Sequence, residues 1–205
     1  MPFALRCGGG LLTGQDALLA TGNRTFIQPW SSGVGNEAFF ALVFVASVIS
    51  VPVPAAFGMT RIHLGNIFCL LSGFILGPVG GGLAAGIGSG LYDVIIYGDM
   101  LSAPFTLVFK GMMAVVCGMI AYLGDNRGEN HKLNVVAGIS GSVTYIILYL
   151  EGLLLGSAMG TVLTALVTKA ITSGINGVIA VVVSVPLCAA VRLALKKSHL
   201  LEKLG

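Results

Sequence analysis

The stretch HLGNIFCLLSGFILGPVGGGLAAGIGSGLYDVIIY, His63 to Tyr97, decides how this chain folds. It is apolar almost throughout, with Asp93 as its one acidic residue. A helix needs about 20 such residues to cross the hydrocarbon core of a bilayer, so the stretch is too long for one crossing. Gly77-Pro78-Val79-Gly80-Gly81-Gly82 interrupts it with a turn signal. The reading is two helices, about 63–77 and 81–97.

Working outward, the same logic places a first span from Ala38 to about Pro54, closed by Pro52 and Pro54. A fourth covers about 104–123, a fifth about 134–153 and a sixth about 160–191. The expected fold is an all-α membrane protein, a six-transmembrane-helix bundle occupying residues 37–195. Composition agrees. Hydrophobic residues make up 56% of the 205 positions and charged residues 9%. A soluble domain carries about 25% charged residues, which excludes a water-soluble globule, a disordered chain, a disulfide scaffold and a nucleic-acid binder. Thirty glycines suit close helix contact. Gly82, Gly86 and Gly90 form two GxxxG steps, and Gly152, Gly156 and Gly160 repeat the spacing.

Residues 1–36 are richer in Gly, Ser, Thr and Asn. Gly8 to Gly10, Gln15 and Asp16 break every apolar run that a cleavable leader needs. The segment reads as a mobile cytoplasmic tail or as sequence from an upstream start codon, and 196–205 as a basic tail. Lys and Arg then set the orientation. Arg6, Arg24, Arg127, Lys132, Arg192, Lys196, Lys197 and Lys203 fall on one side of a six-span topology, and Arg61 on the other. The excess of positive charge marks the cytoplasmic side, so both termini are expected inside a prokaryotic plasma membrane.

Charge within a span usually faces a cavity or a partner. Asp93 and Lys110 reach similar depth on adjacent spans, as a structural ion pair or as ligand contacts. On the last span Thr161, Thr164, Thr168, Thr172 and Asn176 recur at helical spacing beside Lys169. This polar stripe suits interhelical hydrogen bonds or an anionic ligand. Arg61, His63 and Asn66 near the first outer loop, with Tyr145, Tyr149 and Glu151 on the fifth span, gather polar groups in the outer half. A small-molecule pocket open to the outside requires such a gathering.

Several motifs fail on inspection. Gly138-Ile139-Ser140-Gly141 matches the GxSG of intramembrane serine proteases, but His63, His131 and His199 all lie at other depths. No HExxH or paired-carboxylate motif is present, Cys7, Cys69, Cys117 and Cys188 form no CxxC, and residues 77–82 lack the GK[ST] of a phosphate-binding loop. An enzyme is not expected, and neither is a metal or a cofactor.

From Arg61 to Ala121 the chain resembles the substrate-binding S components of energy-coupling factor (ECF) vitamin transporters. The resemblance rests on His63-Leu64-Gly65-Asn66, Gly77-Pro78 with Gly81, and Gly86-Ile87-Gly88-Ser89 with Asp93. Ala103-Pro104-Phe105-Thr106 and Phe109-Lys110-Gly111-Met112-Met113-Ala114 complete it. It implies a six-helix subunit that binds a vitamin-like nutrient, anionic or aromatic, in an outer pocket. It also implies docking on a transmembrane coupling subunit with two ATPases. By position the pocket draws in Arg61, Asn66, Lys110, Tyr145, Tyr149 and Lys169. The docking face falls on Ala38, Ala41 and Ala46, without a strict AxxxA step. The alternative is a stand-alone secondary transporter or channel, for which the break at 77–78 is the sequence hint.

Overall fold

The structure, a computed structural model, describes residues 33–55, 58–125, 128–156 and 162–197. Helix α1 (Gly33–Val48) leads into a β-hairpin, β1 (Ser50–Ala55) and β2 (Gly58–His63). Then come α2 (Gly65–Tyr92), prolonged by a π-helical turn at Asp93–Tyr97, α3 (Ala103–Ala121), α4 (His131–Gly156) and α5 (Val162–Lys197). Four stretches are long and apolar enough to cross a membrane: Gly65–Ile96, Ala103–Ala121, His131–Gly152 and Lys169–Ala194. A shorter apolar helix covers Glu37–Val48. The chain is a helical, multi-pass membrane protein. The two tails expected at 1–36 and 196–205 fall almost wholly outside the described residues.

The first helix ends earlier than its composition suggests. Residues 50–55 had been expected to continue the span to Pro54, but they form β1. The cause is local: each proline disfavours the helical conformation in the residue before it, so Pro52 and Pro54 push Val51 and Val53 to extended backbone. β1 pairs antiparallel with β2, from Ser50 opposite His63 to Ala55 opposite Gly58. The Leu64 N–H donates to the Ile49 carbonyl at 3.3 Å and closes the neck of the hairpin.

Helix α2 is folded back on itself. Gly77 has φ 77° and ψ −172°, a region that essentially only glycine occupies. Pro78 follows with the φ of a helix start. In a straight helix Cys69 and Ser89 would stand about 30 Å apart; here Cys69 Sγ lies 3.6 Å from Ser89 Oγ. Ser72 Oγ likewise donates to the Gly81 carbonyl at 3.1 Å. The element is therefore two antiparallel arms, 65–76 and 78–92. The reversal frees carbonyls at the end of the first arm, and buried carbonyls need donors. The Arg192 guanidinium, from the far end of α5, donates to the Phe74 carbonyl at 2.7 Å. The Tyr122 hydroxyl donates to that of Ile75 at 2.7 Å.

The second arm sits at the centre of the bundle because it is small on every side. Its GxxxG face meets α3: a methyl added at Gly86 would come 2.7 Å from the Leu107 carbonyl oxygen. Gly88 faces α1, where such a methyl would lie 2.9 Å from the Phe40 carbonyl. Gly81 rests on the first arm at Gly73. Around this spine Leu70, Leu71, Phe74, Met113, Cys117, Ala137, Ala180 and Cys188 form the core. The outer surface carries Ile171, Val178 and Val182, all at least 60% exposed, a surface suited to lipid rather than water.

Candidate ligand-binding site

The bundle has two ends, one marked by the β-hairpin and one by the turn at Gly77. Asn66 stands in the first turn of α2, immediately after the hairpin, and is 4% exposed. Its side-chain oxygen has no hydrogen-bond partner among the described residues. Such a group normally finds one when buried. Cys69, three residues on and therefore on the same helical face, joins the first arm to Ser89 on the second.

Lys110 projects from α3 into the same neighbourhood. It is 7% exposed, and its ammonium lies within electrostatic reach of the Cys69 thiol. An isolated ammonium in a membrane interior is costly. Its expected partner was Asp93, but among the described residues no ion pair within 4.0 Å joins the two. Each has another neighbour: Lys110 lies within electrostatic reach of Cys69 on the first arm, and Asp93, opening the π-helical turn, within reach of Tyr145 on α4. The expected direct pair is thus corrected to two opposite charges at one end of the bundle. Tyr145 and Tyr149 stack with ring centroids 5.8 Å apart and planes at 19°. Tyr145 packs against the core, within electrostatic reach of Cys69 as well as Asp93.

Four of the residues read from the sequence, Asn66, Lys110, Tyr145 and Tyr149, therefore lie on elements that meet through Cys69. Lys169 is different: its side chain on α5 is exposed, so the expected buried ammonium on the last helix is corrected to a surface one. The buried face of α5 runs through Ser173, Asn176, Ala180 and Ser184, and Lys169 is turned away from it. Of the threonine stripe, Thr172 is half-buried; Thr161 and the side chains of Thr164 and Thr168 lie outside the described residues. Arg61 occupies β2 opposite Pro52, with its side chain likewise outside them.

On α1, Ala38 and Ala41 are exposed and Ala46 is buried at 3%. Ala46 points into the bundle beside Val43 and Ser47, so it does not share a docking face with the other two. Sequence reasoning gave Cys69, Ser89 and Ser142 no place in a site. Ser142 Oγ is buried without a partner among the described residues, opposite Gly177 of α5. Single serines and cysteines in apolar runs carry no signal until the helices are paired.

At the Gly77 end lies a recess of about 230 Å³, lined by Gly128, Glu129, His131, Asn134, Arg192 and two apolar residues. It adjoins the Arg192–Phe74 contact rather than the cluster around Lys110.

Comparison with known proteins identifies the family. A stretch of 106 residues is 34% identical to an uncharacterized protein in the gap 3′ region of Pyrococcus woesei, covering 52% of this chain and 69% of that one. The sequence model of the family described as ECF-type riboflavin transporter, S component, matches residues 38–193, from α1 to the last turns of α5. The chain belongs to the ECF-type riboflavin transporter S component family.

Proposed function

We propose that this chain is the substrate-binding subunit of an ECF-type importer, and that it captures riboflavin from outside a prokaryotic cell. The observation that carries the reading is the buried, unpaired polarity at the hairpin end: Asn66 and Lys110 beside the stacked Tyr145 and Tyr149. A flavin suits these groups, since its flat ring stacks on an aromatic face while its polar edge needs donors and acceptors.

Six crossings follow when the arms of α2 are counted separately. The Gly77 end then gathers the loop at Gly128, Arg192 and the basic residues on either side. The positive-inside rule assigns that end to the cytoplasm and the hairpin end, with Arg61, to the outside. The sequence carries no phosphate-binding-loop motif, and transport in this reading draws on two ATPases through a transmembrane coupling subunit. Ala38 and Ala41, on the exposed side of α1, supply a small-residue contact for that subunit.

The test is to purify the chain from cells grown with riboflavin and identify the small molecules released on denaturation by mass spectrometry. Riboflavin is the expected species, and two ATPase subunits should co-purify from the native membrane. Flavin uptake into vesicles holding this chain alone, without ATP, would overturn the reading in favour of a secondary transporter.

A further inference from the structure

The recess at the Gly77 end has no part in the flavin reading, yet a buried polar atom there calls for a ligand. Asn134, in the first turn of α4, lines it and is 2% exposed. Its amide nitrogen donates to the Gly128 carbonyl at 2.8 Å. That bond fixes which way the amide faces, because a carbonyl accepts and cannot donate. The other end of the amide, Oδ1, has no hydrogen-bond partner among the described residues. Leaving a buried acceptor unpaired costs more than the bond contributes when it is formed. The recess, at about 230 Å³, far exceeds the share of about 30 Å³ that one liquid water takes. Gly128 also ties in Arg192. Its φ of 72° brings the loop so close that a methyl there would lie 2.8 Å from Arg192 Nη2. That same nitrogen donates to the Phe74 carbonyl at 2.7 Å, so the positive charge is anchored beside the recess. Glu129, exposed at the rim, adds a carboxylate.

The surroundings say what kind of molecule fits. Leu193 lines the recess and is 58% exposed, and Val136, on α4 near Asn134, is 53% exposed. Both belong to stretches long and apolar enough to cross a membrane, so the recess lies beside a lipid-facing surface. A ligand there has an apolar end for that surface and a polar end for the recess. The polar end must offer a donor to Asn134 Oδ1, a positive charge to Glu129 and a negative one to Arg192. We propose that the recess seats the headgroup of a phospholipid carrying a primary ammonium next to its phosphate. The ammonium donates to Asn134 Oδ1 beside the Glu129 carboxylate, and the phosphate faces the Arg192 guanidinium. A choline headgroup has the phosphate but no N–H to donate. A glycerol headgroup has hydroxyl donors but no positive charge for Glu129. Soluble phosphoethanolamine shares the headgroup chemistry and lacks the acyl chains that the exposed apolar side chains would meet. The proposal goes beyond the flavin reading and does not depend on it.

The experiment titrates the full, detergent-solubilised chain with phosphatidylethanolamine, phosphatidylcholine and phosphatidylglycerol of identical acyl chains, counting bound lipids by native mass spectrometry. The ethanolamine lipid is expected to bind at one copy per chain, at least about 10-fold more tightly than either of the others. Asn134→Leu, close in volume, removes the acceptor and should shrink the preference over the choline lipid to no more than about 3-fold. Glu129→Gln, at an exposed position, should lower the preference over the glycerol lipid by about 2- to 5-fold. Absence of binding, equal binding of the three lipids, or tighter binding of the glycerol lipid overturns the proposal. Undiminished preference in either variant places the lipid elsewhere on the bundle and overturns it too. Soluble phosphoethanolamine that competes as well as the lipid does the same, because the ligand is then a free small molecule. Should Asn134→Leu not fold, Glu129→Gln and the three lipids on the unaltered chain still decide.

Discussion

Lys110 carries the strongest single-residue expectation. Replacing a buried charge by a hydrophobic residue of similar volume is often neutral or stabilising. Lys110→Met should therefore leave the ligand-free thermal midpoint unchanged or raise it, while riboflavin affinity falls at least about 10-fold. A packing role would show as a loss of stability with affinity preserved, so the two melting curves and one titration separate the cases. A second residue-scale expectation concerns Asp99, in the loop between α2 and α3. Hydrogen bonds from the side chain and the N–H of Ser102 hold its carboxyl below the usual carboxylate range, the N–H at 3.1 Å. Because the folded value is depressed, its contribution is complete above the ordinary carboxylate value of about 3.9. The contribution disappears as pH falls through the lowered value. Asp99→Asn should thus match the unaltered chain once pH has fallen well below the lowered value and show a small loss above about pH 4, read from the thermal midpoint across pH. The group is fully exposed, so the loss is slight.

Among the elements, the reversal in α2 is the most sensitive to substitution. Gly77→Ala places a side chain at φ 77° and ψ −172°, at a cost of about 1–3 kcal/mol. The added methyl would also come 3.3 Å from the Tyr122 ring. A thermal midpoint lowered by several degrees, with flavin stoichiometry retained in the folded fraction, is the expected result. Arg192→Met removes the donor to the Phe74 carbonyl and should cost about 1–3 kcal/mol, measured the same way.

This is also where the sequence spoke most clearly. Gly77-Pro78 marked the turn, and the GxxxG steps marked a face for close contact, although not that α3 would fill it. The end of α1 was legible only in part. Pro52 and Pro54 announced a stop, but hydropathy alone ran the helix through residues whose backbone the prolines had already extended. The site divides on the same physical ground. Asn66 and Lys110 stand out because polarity within an apolar run is rare. Lys169 stands out equally, yet is exposed, since the direction of a side chain depends on which face of α5 packs inward. Asp93 and Lys110 were legible as neighbours in depth. That no ion pair within 4.0 Å joins them among the described residues is set by side-chain placement, which depth alone does not give.

Over the whole molecule, the two ends of the bundle hold different chemistry. Asn66, Lys110 and the tyrosine pair occupy the hairpin end, while Arg192, Tyr122 and the Gly128 loop lock the other. The first arm of α2 connects them, running from Asn66 through Cys69 and Leu70 to the Phe74 carbonyl over about 12 Å. Such a layout suits a subunit that holds its ligand at one face and leaves the energy source to partners at the other. The most direct measurement of that claim is a riboflavin titration of the purified chain without ATPases or nucleotide, followed by flavin fluorescence. Saturable quenching at one flavin per chain, weakened at least about 10-fold in Lys110→Met, is the expected result. Unchanged flavin fluorescence over a chain that still melts cooperatively would contradict it.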